Sequence, residues 1–190
     1  MIVSKNEAIK NSITKFLDKG ILNCNKCKLC KYSVNVSHHK MLGFGHNGTI
    51  MVLGLCPSYN RSQIGGYAMS PGELLNSPAD YLWRVINEVE FPVEKTYITN
   101  FLKCSTPQNR EPLFEEATAC FNNWLSQEIF TCSPRIIICL GKTAYEFMDQ
   151  LNKFSVSLSL VEVYHHSYIA RNNEKFEEWK KQWQEIKDIL

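Results

Sequence analysis

The order of apolar and amphipathic runs predicts an α/β protein, a three-layer α/β/α sandwich around a central, mainly parallel, four-stranded sheet. Three runs starting near Thr49, Tyr97 and Pro134 are almost continuously apolar, the pattern of strands covered on both faces and hence of a parallel sheet. Each is followed by a longer stretch with helical periodicity, and strand-helix alternation of this kind builds parallel sheets through crossover helices. At 190 residues, with 44% hydrophobic and 21% charged residues, the chain suits one domain over 1–190 with a sizeable core.

Residues 1–22 read as a polar helix with a narrow apolar stripe of Ile9, Ile13, Phe16 and Leu17. The segment 24–30, Cys24-Asn-Lys-Cys27-Lys-Leu-Cys30, is small, polar and basic, and reads as a loop. Its C-x2-C pair presents two thiols from one tight turn, which suits a tetrahedral metal or an iron-sulfur cluster as well as ordinary loop cysteines. Paired His38 and His39 are expected to be solvated, and Gly43 to Gly48 marks a turn.

The first strand, Thr49 to Gly54, runs straight into Leu55-Cys56-Pro57-Ser58. Ligands of parallel sheets bind beyond the carboxyl ends of the strands, so this turn is where chemistry is expected. The loop after it carries Gly65-Gly66-Tyr67, in which Tyr67 either covers the core or offers a stacking face. A helix then starts near Ser70 and carries Tyr81, Leu82, Val85, Ile86 and Val89 on one face, with Ser77-Pro78 as a possible interruption.

The second strand, Tyr97 to Leu102, places Asn100 at or near its end. Cys104 and Cys120 bracket the turn and the first turns of a helix over Leu113 to Phe130. Pro134 to Gly141 is the third strand and Lys142 to Leu151 the next helix. Ser155 to Tyr164 is a weaker fourth strand, followed by His165-His166 and by a charged helix over Asn173 to Leu190.

Eight cysteines in a chain with no signal-peptide pattern in its first twenty residues predict an intracellular, cytoplasmic protein whose thiols serve metal binding, packing or catalysis. No run of eighteen apolar residues suggests a membrane span. A formal net charge of +2 says little about partners, since nucleic-acid binding depends on local patches.

Several features, in order, resemble the iron-sulfur uracil-DNA glycosylases of family 4. They are Cys27-Lys-Leu, the Gly54-x-x-Pro57 turn, Tyr-Ile-Thr-Asn100-x-x-Lys-Cys104 with Pro-Gln-Asn-Arg-x-Pro-Leu after it, Cys120 sixteen residues on, Ile-Ile-Ile-Cys-Leu-Gly141, and His165-His-Ser-Tyr-Ile-Ala-Arg171. The resemblance spans roughly residues 24–190 and is specific because the motifs recur together. It implies that Cys24, Cys27, Cys104 and Cys120, on segments 24–30 and 104–120, hold a [4Fe-4S] cluster, with zinc on the same four cysteines as the competing assignment. Cys30 is then spare, or takes the place of Cys27 as a ligand, although the following Lys-Leu favours Cys27; Cys139, inside a strand, is packing.

The same resemblance implies a DNA glycosylase that flips a uracil or modified pyrimidine out of single- or double-stranded DNA and cleaves its glycosidic bond. Asn100 would read the base edge, an amide offering both donor and acceptor. Tyr67 would stack on the base, and Gly54, Leu55, Cys56 and Pro57 would line the pocket. His165 would stabilise negative charge on the departing base. Ser167, Tyr168 and Ile169 would press into the duplex as a wedge; Arg171, Lys103 and Arg110 are either phosphate contacts or solvated side chains. A monomer is expected.

Two departures bear on activity. The family has a carboxylate after the glycine of the first motif, where this chain has Leu55; loss of a general base costs roughly 10²- to 10⁴-fold in rate. The proline after the histidine is His166. Asn60, Ser58 or His166 could hold the attacking water instead, and Cys56 is either a nucleophile or a small residue in a tight turn. The alternatives are a catalytically weak DNA-binding or damage-sensing module that keeps the pocket, and a zinc-containing α/β enzyme of another class.

Overall fold

In a computed structural model of the chain, residues 15–30, 41–45, 49–59, 66–69, 77–151 and 158–190 are described. Seven strands are present among them: β1 (Met41–Leu42), β2 (Phe44–Gly45), β3 (Ile50–Gly54), β4 (Gly66–Tyr67), β5 (Thr96–Asn100), β6 (Ile136–Leu140) and β7 (Ser159–Val163). The helices are α1 (Lys15–Leu22), α2 (Pro78–Glu88), α3 (Phe114–Cys120), α4 (Ser126–Cys132), α5 (Lys142–Leu151), α6 (His166–Arg171) and α7 (Phe176–Asp188).

The main sheet has the order β2-β5-β3-β6-β7. β5, β3, β6 and β7 are mutually parallel, and the two-residue β2 adds an antiparallel edge on β5. The predicted four-stranded parallel sheet is therefore the body of the molecule. β1 and β4 form a separate short parallel pair, too brief for sequence alternation to signal.

Alternation along each strand sends residues to two cores. Ile50, Val52, Ile98, Ile136 and Ile138 face α2, α6 and α7, whose Leu82, Ile86, Ile169, Trp179 and Trp183 are buried against them. Met51, Leu53, Tyr97, Ile137 and Cys139 face the opposite layer, with Ala117, Leu125, Ala144 and Met148. Each buried Ile or Leu of this kind contributes about 1.5–3 kcal/mol, and burial on both faces explains why β3 and β6 carry almost no polar side chain.

Local chemistry sets the helix ends. Pro78 opens α2 where its missing N–H is not needed, and the Ser77 N–H donates to the Asp80 carboxylate at 2.8 Å. The stretch predicted as one helix over Leu113 to Phe130 is helical from Phe114 to Cys132 but contains a π-helical turn at Phe121–Leu125. In α1, Gly20 lies inside the helix, and a Cβ there would meet the Trp124 ring at 2.7 Å, so the glycine permits α1 to pack on that ring.

Register brings four strand ends to one rim. Gly54 is opposite Asn100, and Leu140 is opposite Val163, just before His165. Because β5 and β6 flank β3 on opposite sides, this rim holds the switch point at which α/β sheets bind ligands.

Candidate active site and cysteine centre

A cleft of about 670 Å³ opens on that rim. Leu55, Cys56, Pro57 and Ser58 line it from the end of β3, Asn100 from β5, and Leu140 to Ala144 from the end of β6 and the start of α5. His165, His166, Ser167 and Arg171 close it from the end of β7 and from α6. The structure thus unites residues that lie more than a hundred positions apart in sequence.

The turn after β3 is pinned to the extension of β5. The N–H groups of Phe101 and Leu102 donate to the carbonyls of Gly54 and Leu55 at 2.7 and 2.9 Å. A Cβ at Gly54 would run into the Asn100 side-chain oxygen and the Met69 thioether, so the glycine gives the amide its room. The Tyr59 N–H donates to Asn109 Oδ1 at 2.6 Å. Asn109 and Gln108 both hold left-handed backbone, φ 57° and 53°, in the Pro-Gln-Asn-Arg run. Asn109 lines the cleft, a position that its place in this motif signals without revealing its partner.

Cys56 accepts hydrogen bonds from Thr106, and burial pushes its thiol up to about 11. It is a neutral thiol at physiological pH, which removes the basis for reading it as a nucleophile. Ser58 is exposed at the cleft wall. Tyr67 pairs with Leu42 in β4, and Asn60 lies outside the described residues, as do His38 and His39.

His165 caps α6: its Nδ1 accepts the Ser167 N–H at 3.0 Å. Neutral imidazole with Nδ1 as acceptor carries its proton on Nε2. Desolvation, with a smaller contribution from the nearby Arg171 guanidinium, lowers the His165 pKa to about 4. The ring is held against Gly141, whose φ of 89° suits glycine and where a Cβ would meet the His165 Cβ at 3.2 Å. His166 stacks on His165 with ring centres 4.1 Å apart. It is 8% exposed, lines the cleft, and its Nδ1 is buried without a hydrogen-bond partner; desolvation lowers its pKa well below 6.5.

A pH dependence follows. Because the folded pKa of His165 is below the unfolded value of about 6.5, the unfolded chain takes up a proton first as pH falls, so stability is complete above about 6.5 and is lost toward 4. The loss attributable to His165 is about 3 kcal/mol at pH 4, with His166 adding in the same direction. Denaturation at pH 7 and pH 4.5 should show a larger drop for the wild type than for His165→Gln; equal drops would contradict this.

Three sequence expectations change. Lys103, read as a phosphate contact, is 2% exposed and forms an ion pair with the fully buried Glu128. Arg110, also read as a phosphate contact, makes a two-pronged bond to Glu116, at 2.6 and 2.9 Å. Ile169, read as part of a wedge, is 0% exposed and belongs to the core with α2 and α7. The α6 helix turns Ile169 inward and leaves Tyr168, 37% exposed, as the outward apolar group. Arg171 stays exposed at the cleft.

The second constellation borders the continuation of β5, Leu102 to Cys104. Cys24, Cys27, Cys104 and Cys120 line one cavity, together with Cys30, Lys103, Glu116 and Trp124. The Cys24 sulfur accepts the Trp124 Nε1–H at 3.1 Å and the Lys26 N–H at 3.5 Å. N–H groups aimed at sulfur are what a thiolate bound to metal requires. Burial raises the Cys120 thiol to about 12 and also raises Cys27; only a bound cation would ionise them there. No three His, Cys, Asp or Glu among the described residues converge on a single-ion position. Four thiols around a shared cavity are the donor set of either a tetrahedral zinc ion or an iron-sulfur cluster. The Cys30 thiol is otherwise engaged, donating to the Cys27 carbonyl at 2.6 Å.

The parallel α/β/α sandwich thus carries an amide at the end of β5 and a neutral histidine after β7 on the wall of one cleft, and comparison with known proteins gives the family. Residues 42–187 match the model of the uracil DNA glycosylase superfamily, to which the chain belongs. It is similar to the type-4 uracil-DNA glycosylase of Sulfurisphaera tokodaii, 31% identical over 84% of this chain and 68% of that protein. Similar type-4 proteins occur in Archaeoglobus fulgidus, 30% identical over 70% of this chain and 62% of the relative, and in Thermotoga maritima, 26% identical over 86% of each. Among the described residues, no helix is long and apolar enough to cross a membrane.

Proposed function

We propose that the protein is a DNA glycosylase that takes uracil or a modified pyrimidine from DNA into the cleft and cleaves the bond between base and deoxyribose. The observation that carries this is the meeting of the Asn100 amide and the neutral His165 imidazole across one cleft, in a chain of the uracil-DNA glycosylase superfamily. The relatives named above are uracil-DNA glycosylases, which supports uracil as a substrate. A base in a duplex must leave the stack to reach such a pocket.

Asn100 pairs with a carbonyl and the ring N–H of the base. His165 Nε2–H donates to the second carbonyl, where negative charge collects as the glycosidic bond breaks and its electrons pass to the base. Water adds to the sugar carbon, loses a proton, and leaves a free base and an abasic site. Leu55 supplies no base for that water, so Ser58 or His166, both on the cleft wall, or Asn60 holds it. A cleft of about 670 Å³ falls within the usual range for small-molecule pockets, roughly 300–1,000 Å³, and has room for a substituent on the pyrimidine. Tyr67 stacks on the base, and Ser167, Tyr168 and Arg171 meet the strand. The whole chain acts as one monomeric unit, with a [4Fe-4S] cluster on Cys24, Cys27, Cys104 and Cys120 joining the segment before β1 to the segment after β5.

The test is release of free base, followed by mass spectrometry, from single-stranded and duplex DNA carrying uracil and a series of modified pyrimidines. Abasic product from at least one is expected. Salt-dependent DNA binding with no product from any would overturn the reading in favour of a binding module without turnover.

A further inference from the structure

Lys103 links the two constellations: it borders the cysteine cavity, where its charge favours the Cys120 thiolate, and its ammonium is bonded to the backbone of Asn100. Its ammonium has three protons and three buried acceptors: Thr99 Oγ1 at 2.8 Å, the Asn100 backbone carbonyl at 2.6 Å, and the Glu128 carboxylate. The other side of Glu128 is filled by the Tyr97 hydroxyl at 3.1 Å and by Thr99. Every member of the group belongs to β5, to its extension or to α4, and Lys103 and Glu128 are sealed from solvent. A buried ion pair is weak support for stability, because apolar residues of similar volume often replace it without loss. Its presence directly beneath Asn100 calls for another role.

Asn100 ends β5, where strand pairing ceases to define the backbone. On one side the next two N–H groups are tied to the carbonyls of Gly54 and Leu55. On the other, the Asn100 carbonyl is held by Lys103. Together these bonds fix the peptide from which the side-chain amide projects into the cleft, and Gly54 leaves that amide its space.

We propose that Lys103, with Glu128 as its counter-charge, is a positioning residue for base recognition: it fixes the peptide of Asn100 so that the amide presents one donor-acceptor orientation to the base. This rests on the reading of Asn100 as the base-reading group. The pair acts through Asn100 and does not touch substrate.

The decisive variant is the double replacement Lys103→Met/Glu128→Leu, which removes both charges together and avoids leaving one buried alone. It is expected to melt within a few degrees of the wild type. Its Asn100 side-chain amide, observed by ¹⁵N NMR, should become mobile on the subnanosecond timescale, and single-turnover release of uracil should fall by about 10- to 100-fold with DNA affinity unchanged. A double variant with a rigid Asn100 amide and wild-type release would overturn the proposal. If the wild type itself releases no base, the glycosylase reading fails, and the NMR comparison alone still decides the role of Lys103. If the double variant does not fold, Thr99→Val, which removes one acceptor of the ammonium, should shift amide mobility in the same direction; no shift would overturn the proposal.

Discussion

Replacing His165 by alanine is expected to lower single-turnover release of uracil by roughly 10²- to 10³-fold at neutral pH, the cost of removing one well-placed donor to developing negative charge. DNA affinity should change little, because the imidazole contributes most when the bond breaks and not when the strand docks. The geometry makes the assignment specific. With Nδ1 occupied by the Ser167 N–H, only Nε2 is left to donate, and a ring with a pKa of about 4 donates as neutral imidazole at physiological pH. The activity carried by His165 should therefore hold as pH falls from 7 to about 5. His165→Ala also removes the acceptor for the Ser167 N–H, a cap-type loss of about 1 kcal/mol, so a modest drop in melting temperature is expected beside the large loss of rate. Wild-type turnover by His165→Ala would remove the histidine from the chemistry.

The features most legible in the sequence were those that depend on local pattern. Ile50–Gly54, Thr96–Asn100 and Ile136–Leu140 are strands because their apolar runs are buried on both faces, and α5 spans the predicted Lys142–Leu151. The strand ends then located Leu55, Asn100 and His165 on one rim, since parallel strands put their carboxyl ends together. Other features depend on partners remote in sequence. Lys103 looks like a surface cation until Glu128, twenty-five residues on, is folded against it. Arg110 looks free until α3 brings Glu116 to it. Ile169, read as part of a wedge, lies in α6, which has only six residues, too few for periodicity to show which face is buried. The π turn at Phe121–Leu125 adds a residue to one helical turn, which a 3.6-residue pattern does not display. For the cysteines, C-x2-C spacing suggested a metal loop, but only the family resemblance paired it with Cys104 and Cys120 before the fold placed all four around one cavity.

Loss of one of those cysteines is expected to have the largest effect on stability. Cys120→Ser should yield a protein without visible absorption from a cluster, with a melting temperature well over roughly 10 °C below that of the wild type, since binding at thiolate sites feeds directly into folding free energy, about 10 kcal/mol or more in small metal domains. The structural reason is that the site joins segments remote in sequence. Cys24 and Cys27 follow α1, whose buried Leu17 and Ile21 form a small satellite core with Trp124, while Cys104 follows β5 and Cys120 ends α3. Cys30→Ser is the control: its thiol is engaged with the Cys27 carbonyl, so this variant should keep both absorption and stability. Elemental analysis of the wild type should find iron and acid-labile sulfide in equal amounts. Zinc without iron would replace the cluster by a mononuclear site on the same four thiols, and retention of iron by Cys120→Ser would remove that residue from the ligand set. Because Lys103 and Glu116 border the same cavity, the damage should reach the cleft through Asn100 and the Arg110 segment, and base release should fall together with iron content.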